Sequence, residues 1–206
     1  SIFCDGTEDE ITVPDSDDWA FAGDYTVEFW VYFNGAPANN AHICGQGGNA
    51  ASNFAFFCRS EGSGNFVFGT SNGSTQRLIN PSANLSNAWH HVALVKYGTS
   101  QKLYIDGTSA GTPLTHSEPV QNVSAPWEFS GGNNSASHMS AYWDEIRFSN
   151  VARYTANFTA FGQDGGTISS PTAFTSDSNT KLLIRGVTAA ATGKITKIHG
   201  TSLAWK

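Results

Sequence analysis

Apolar residues along this chain come in short runs, and within most runs they alternate with polar ones. The longest run, Tyr25–Phe33 (YTVEFWVYF), sets Tyr25, Val27, Phe29, Val31 and Phe33 on one face and Thr26, Glu28, Trp30 and Tyr32 on the other. A period of two predicts a strand, and because its second face is half aromatic, that face is expected to be covered as well. The same reading predicts strands in HICG, FAFFC, FVFGT, QRLIN, WHHVALVKY, KLYIDG, PWEFSGG, AYWDEIRF and TKLLIRG. A Gly-Thr-Ser-Gln segment between WHHVALVKY and KLYIDG predicts a hairpin, and Asp106-Gly107 starts the next tight turn. One brief helical turn is expected at 150–154.

Strands at these spacings, bounded by Gly, Asn, Ser, Asp or Pro and almost without helical pattern, predict an all-β fold. The expected architecture is a two-sheet antiparallel jelly-roll sandwich. Beyond Thr155 the chain turns Gly/Ser/Thr-rich, offers the strand TKLLIRG, and finishes with a hairpin pattern, KITKI–HGT–SLAWK. Residues 1–160 read as the sandwich body. Residues 161–206 read as an appendage whose first part returns to the sheet and whose end packs on a neighbour.

Charge sharpens this picture. Only 14% of the 206 residues are charged and the net charge is −6, which argues against nucleic acid as a partner. Residues 1–24 hold eight of the 17 acids and no Lys or Arg, and residues 181–206 hold five of the 11 bases and no acid. The two ends are either separately solvated or attract one another, within the chain or between neighbours in an assembly. No window of 18 apolar residues exists, so no membrane-spanning helix is expected. The opening SIFCDGTEDE lacks the basic end and apolar core of a signal peptide. Cys44 and Cys58 face each other if AHICG and FAFFCRS form a hairpin turning near Ala51, which permits a disulfide without establishing one; buried free thiols are the other reading.

The ordered set FCDGTEDEITVPDSDDWAF, GDYTVEFWVYF, WHHVALVKYGTSQKLYIDG and YWDEIRFSNVARYTANFT resembles the laminin-G-like, concanavalin A-like jelly roll, over roughly residues 2–185. VARYTANFT followed by FTSDSNTKLLI is similar to the versions found in marine phage virion proteins. The resemblance implies two stacked, curved antiparallel sheets, often one structural calcium, and binding roles in most branches. It further implies that Asp144 of the DEIR strand ligates calcium with Asp5 from the first strand and Gly23 or Asp24 from the loop before the long strand. Calcium takes several carboxylate and carbonyl oxygens at about 2.4 Å, and these residues supply that chemistry.

Asp144 and Glu145 are adjacent, and strand alternation sends adjacent side chains to opposite faces, so they do not read as a catalytic acid–base pair. Strict alternation places Tyr142, Asp144 and Ile146 on one face and Trp143, Glu145 and Arg147 on the other, with Glu145 answering Arg147. Asp144, among apolar neighbours, needs a metal or a cluster of amides. Glu8-Asp9-Glu10 is contiguous and turn-like, unlike the alternating carboxylates of related glucan hydrolases. Lys197-Ile198-His199 only echoes the Gln-Ile-His strand of related alginate lyases. His90-His91 reads as structural, and no nucleophile elbow, P-loop or zinc motif occurs. No enzyme activity is expected.

For binding, most aromatics are assigned to the core, Trp30, Trp89 and Trp143 among them, while Trp127 lies nearer a loop. The loops at 45–53, 70–75 and 131–138 form a candidate recognition rim, with Asn49, Asn72, Asn133, Asn134 and Trp127 as ligand contacts. The leading expectation is a non-catalytic phage virion module that decorates the particle or attaches it to a host glycan. Capsid or tail proteins, a surface glycan, or a second copy through the C-terminal segment are the expected partners. A secreted or surface carbohydrate-binding module of a bacterium is the alternative, and a polysaccharide hydrolase or lyase a distant third.

Overall fold

The computed structural model describes residues 1–48, 50–132, 138–160, 171 and 173–186, together with the strand backbone at 163–164, 167–168 and 198–199. In chain order the strands are Ile2–Asp5 (β1), Ile11–Val13 (β2), Tyr25–Phe33 (β3), His42–Gly47 (β4), Phe54–Gly62 (β5), Asn65–Ser71 (β6), Gln76–Ile79 (β7) and Trp89–Tyr97 (β8). They continue as Ser100–Ile105 (β9), Thr108–Thr115 (β10), Trp127–Phe129 (β11), Ser140–Ser149 (β12), Gln163–Asp164 (β13), Thr167–Ile168 (β14), Thr180–Ile184 (β15) and Ile198–His199 (β16). Among the described residues the one helical segment is a 3-10 turn at Asp17–Trp19, capped by Ser16. The turn expected at 150–154 does not form; there the backbone is irregular, and Thr26 Oγ1 holds it by donating to the Val151 carbonyl and accepting from the Arg153 amide.

Two antiparallel sheets stack face to face. The larger runs β10-β9-β8-β3-β12-β15-β16, with β1 also pairing β12, and the smaller runs β2-β11-β4-β5-β6-β7. Tight turns set the hairpin registers. Between β9 and β10, Asp106 (φ 53°) and Gly107 (φ 79°) both occupy the left-handed region, as a twist-matched two-residue hairpin requires. The strand β10, TSAGTPLT, was not legible in the sequence, because it is polar and mostly exposed on the sheet edge, where its proline is tolerated.

Tyr25, Val27, Phe29, Val31 and Phe33 of β3 all point into the space between the sheets, where they meet Phe56, Cys58, Phe66, Phe68, Trp127, Phe129, Trp143 and Phe148. Ring packing there is mostly edge-to-face, as for Phe29 and Trp143 at 5.2 Å. Cys44 and Cys58 are direct cross-strand partners, as the hairpin pattern predicted, and all three cysteines are buried free thiols.

Candidate ligand-binding face

The second face of β3 carries Thr26, Glu28 and Trp30, all buried, so something covers it. The cover is the chain beyond β12. Tyr154, Phe158, Ala160 and Phe174 lie over Trp30, His91, Ala93, Tyr104 and Leu183. Beneath it sits a closed charge network. Glu28, fully buried, accepts from Arg147 at 2.7 Å, from Tyr154 Oη at 2.9 Å and lies 3.0 Å from His91 Nε2. Burial pushes the Glu28 carboxyl up, but hydrogen bonds and charge from His91 and Arg147 more than offset it and hold the group below the usual carboxylate range. Arg147 also lies over the Phe174 ring, 4.1 Å from its centroid. Arg153 extends the network to Asp177 through two hydrogen bonds, at 3.1 and 2.8 Å, and these hold Asp177 well below its ordinary value.

Glu145 does not pair with Arg147, correcting the alternation argument. Between Asp144, opposite Trp30, and Arg147, opposite Glu28, β12 has one more residue than β3. Glu145 takes that place at φ 48°, a bulge. Asp144 and Arg147 therefore share the outer face while Trp143, Ile146 and Phe148 point inward. Glu145 turns instead to Arg185, at 2.8 Å, and accepts from the Phe174 amide at 2.7 Å. Burial raises its carboxyl above the ordinary value.

Among the described residues, this cover leaves one stretch of the outer face partly open. Phe3 stands opposite Tyr142, Tyr142 opposite Tyr32, and Tyr32 opposite Trp89, so four aromatic residues come together across β1, β12, β3 and β8. Their rings pack as a cluster: Phe3 stacks on Tyr142 at 4.6 Å, and Tyr142, Tyr32 and Trp89 form a triangle with centroids 6.0, 6.0 and 6.5 Å apart. Phe3 is 48% exposed and the other three are half-buried; Trp89, expected in the core, packs against the edge of the covered Trp30–Phe174 cluster and keeps part of its surface exposed. Two positions along each of the first three strands, on the same face, come Asp5, Ser140 and Asn34, with Asn34 Nδ2 donating to Ser140 Oγ at 2.8 Å. Asn87, which accepts from the Gly35 amide at 2.9 Å, closes this polar row. An aromatic cluster beside a row of carboxylate, hydroxyl and amide groups can pack on an apolar ring face while bonding to its hydroxyls.

The residues expected to hold calcium do not come together. Asp5 is paired with Ser140 and Asp144 lies four residues further along β12, which is about 13 Å away at strand rise. Asp24 precedes the opposite end of β3 and accepts from the Gly98 amide at 2.7 Å. Asp144 is satisfied by the Glu145 and Gly186 amides, both at 2.9 Å, and by the Ser1 ammonium at 3.1 Å. Asp5 caps the turn at Thr7. Among the described residues no cluster of three or more His, Cys, Asp or Glu is placed to hold a metal, so Asp5, Gly23, Asp24 and Asp144 do not fit one ion. Gly23 and Asp24 instead line a polar cleft of about 360 Å³ at the end of the sandwich, with Asp17, Asp18, Asn150 and Lys181.

The predicted rim divides. Loops 45–53 and 70–75 meet at one end, where Ser71 Oγ and Gln121 Nε2 both donate to the Ala51 carbonyl. Gly131, where the predicted loop 131–138 begins, follows the other end of β11 beside His42, whose Nδ1 lies 2.9 Å from the Gly131 carbonyl. Asn72 is a turn residue that accepts from the Ser74 and Thr75 amides. Trp127 is buried between Phe56, Phe129 and Phe148, so it belongs to the core and not to a ligand site. Asn49, Asn133 and Asn134 lie outside the described residues.

A family model described as the concanavalin A-like lectin/glucanases superfamily matches residues 5–157, about three quarters of the chain. The chain belongs to the concanavalin A-like lectin/glucanases superfamily. No curated protein matches this superfamily member in sequence. Similar solved structures include domains LG4-5 of the mouse laminin alpha1 chain, with TM-score 0.54 and 15% identity over 75% of this chain and 44% of that one. The binding domain of botulinum neurotoxin DC, solved in complex with rat synaptotagmin II, has TM-score 0.56 and 14% identity over 70% and 37%. Botulinum neurotoxin type C, whose cell entry depends on interaction with two ganglioside molecules, has TM-score 0.52 and 13% identity over 70% and 39%. The superfamily member spans less than half the length of these structures.

Proposed function

We propose that this chain is a non-catalytic glycan-binding module whose contact surface is the aromatic cluster of Phe3, Tyr142, Tyr32 and Trp89. This cluster carries the reading, because four aromatic side chains gathered on a sheet face that the described residues leave partly open, bordered by Asp5, Ser140, Asn34 and Asn87, match the amphipathic surface of a sugar. The interaction of a toxin of the same fold with ganglioside molecules supports the ligand class. The non-catalytic part is supported by the titratable groups. Glu28 and His91 are sealed beneath Phe158 and Phe174, His90 is held by Asp106 at 2.7 Å, and Glu8-Asp9-Glu10 precedes β2 without alternating along it.

On the sequence resemblance, the body that this module attaches is a phage particle, with capsid or tail proteins as neighbours. The C-terminal segment, the expected contact between copies, lies mostly outside the described residues. Among the described residues no helix is long and apolar enough to cross a membrane. A glycan array tests the binding reading. Retention of one glycan class by the native chain, lost on Phe3→Ala and on Trp89→Ala, is the expected result, and a blank array overturns it.

A further inference from the structure

We infer that the outer face of β8 and β9 carries a second binding site, a small pocket for one carboxylate group, separate from the aromatic cluster. Register builds it. Tyr97 pairs with Ser100, Val95 with Lys102 and Ala93 with Tyr104, so alternate side chains of the two strands share the face that the chain beyond β12 covers. Tyr97, Ser100, Lys102 and Tyr104, together with Tyr154 and Thr155 of the cover, line a cavity of about 40 Å³. That is room for about three waters or for one group of their combined size. Tyr97 lies eight residues along β8 from Trp89, about 27 Å at strand rise. The covered residues His91 and Ala93 stand between them, so the pocket and the aromatic cluster are distinct.

Three features converge on this cavity. Lys102 is a cation without an anion: among the described residues its ammonium bonds the Thr155 carbonyl, at 3.3 Å, and no Asp or Glu pairs with it. The carboxylates of the adjoining part of the sheet are engaged elsewhere, Glu28 by Arg147, His91 and Tyr154, and Asp24 by the Gly98 amide. Tyr104 is a donor without an acceptor. Its side chain is fully buried, and its hydroxyl has no partner among the described residues. Burial raises it above its ordinary value, so it stays protonated and can donate. A buried hydroxyl left unpaired is unfavourable, and an acceptor in the cavity removes that penalty. Tyr97, 58% exposed, gives the cavity an apolar wall that reaches solvent. A carboxylate answers all three. Its oxygens accept from Lys102 and Tyr104, Ser100 offers a further hydroxyl, and the carbon framework that bears it rests on the Tyr97 ring. One ammonium matches one negative charge, whereas a phosphate dianion would keep a charge unpaired.

Free carboxylates and sugars that carry one share this chemistry, and the test separates them. The ring resonances of Tyr97 and Tyr104 are followed while the intact chain is titrated with propionate and with methyl glucuronide. Propionamide and methyl glucoside serve as their uncharged counterparts, and inorganic phosphate as the dianion. A pocket of this size binds weakly, so the acids are expected to shift both rings with a Kd of about 1 mM and the uncharged compounds to bind about tenfold less well. Tighter binding of the glucuronide assigns the site to an acidic sugar, and tighter binding of propionate to a free carboxylate. Lys102→Gln is expected to weaken the acids about tenfold and leave the uncharged compounds unchanged. Tyr104→Phe, which keeps the ring in place, is expected to weaken the acids without lowering the melting midpoint. Uncharged compounds that bind as tightly as the acids, phosphate that binds more tightly than either, acids that bind Lys102→Gln as well as the native chain, or rings that respond to nothing overturn the inference. Each of these results leaves the glycan-binding reading standing, because that reading is tested at Phe3 and Trp89.

Discussion

Glu28 is the residue on which the covered face depends. Its carboxylate has no exposure and is met by Arg147, His91 and Tyr154, so removing its charge leaves a buried guanidinium without its partner. Glu28→Gln is expected to cost about 3–5 kcal/mol, read by urea denaturation at neutral pH. The pH dependence follows from the direction of its shift. A carboxyl held below its ordinary value contributes stability that is present above the unfolded value of about 4.3 and is lost as pH falls through the folded one. Stability should therefore decline steeply below about pH 4, and the decline should be shallower in Glu28→Gln; equal slopes would remove Glu28 from the account. Trp127 makes the opposite case. Nothing in the sequence separates an aromatic beside a loop from one stacked in the core, and only the pairing of β11 between β2 and β4 puts it inside. Trp127→Ala is expected to cost about 3–5 kcal/mol as a cavity, with any loss of binding in proportion to loss of fold.

At the level of strands, alternation made β3 legible because it is unbroken over nine residues, with its inward and outward sets both as read. The same rule failed on β12. A bulge adds one residue without leaving a mark in composition, and Glu145 there could be any residue whose side chain has a partner outside the sheet. Deleting Glu145 gives Asp144–Arg147 the same count as Trp30–Glu28, with Trp143, Ile146 and Phe148 still inward. The deletion should therefore fold, with native strand content by circular dichroism, while faster amide exchange appears around Phe174 and Arg185. The aromatic cluster was illegible for another reason. Phe3, Tyr32, Trp89 and Tyr142 are scattered over four strands, and each alone looks like an ordinary strand aromatic. Only register brings them together.

For the whole molecule, the first strand is tied to the segment after β15. The Ser1 ammonium bonds Asp144 and the Gly186 carbonyl, so the start of β1 and the end of β15 meet on β12. With Asp5, Gly23, Asp24 and Asp144 spread along the sheet, a chelator is expected to leave the melting midpoint unchanged; a fall would show that an ion is held elsewhere. The covering segment has a further consequence for where the folding unit ends. The family match stops at residue 157, yet Phe158, Ala160, Phe174 and Arg185 close over Trp30, Glu145 and the fully buried Glu28. A chain cut at the family boundary would carry a wet ion pair in the middle of an apolar sheet and lose the strand at its flank. Such a fragment should collect in the insoluble fraction, so the stretch the family match covers is shorter than the unit that folds.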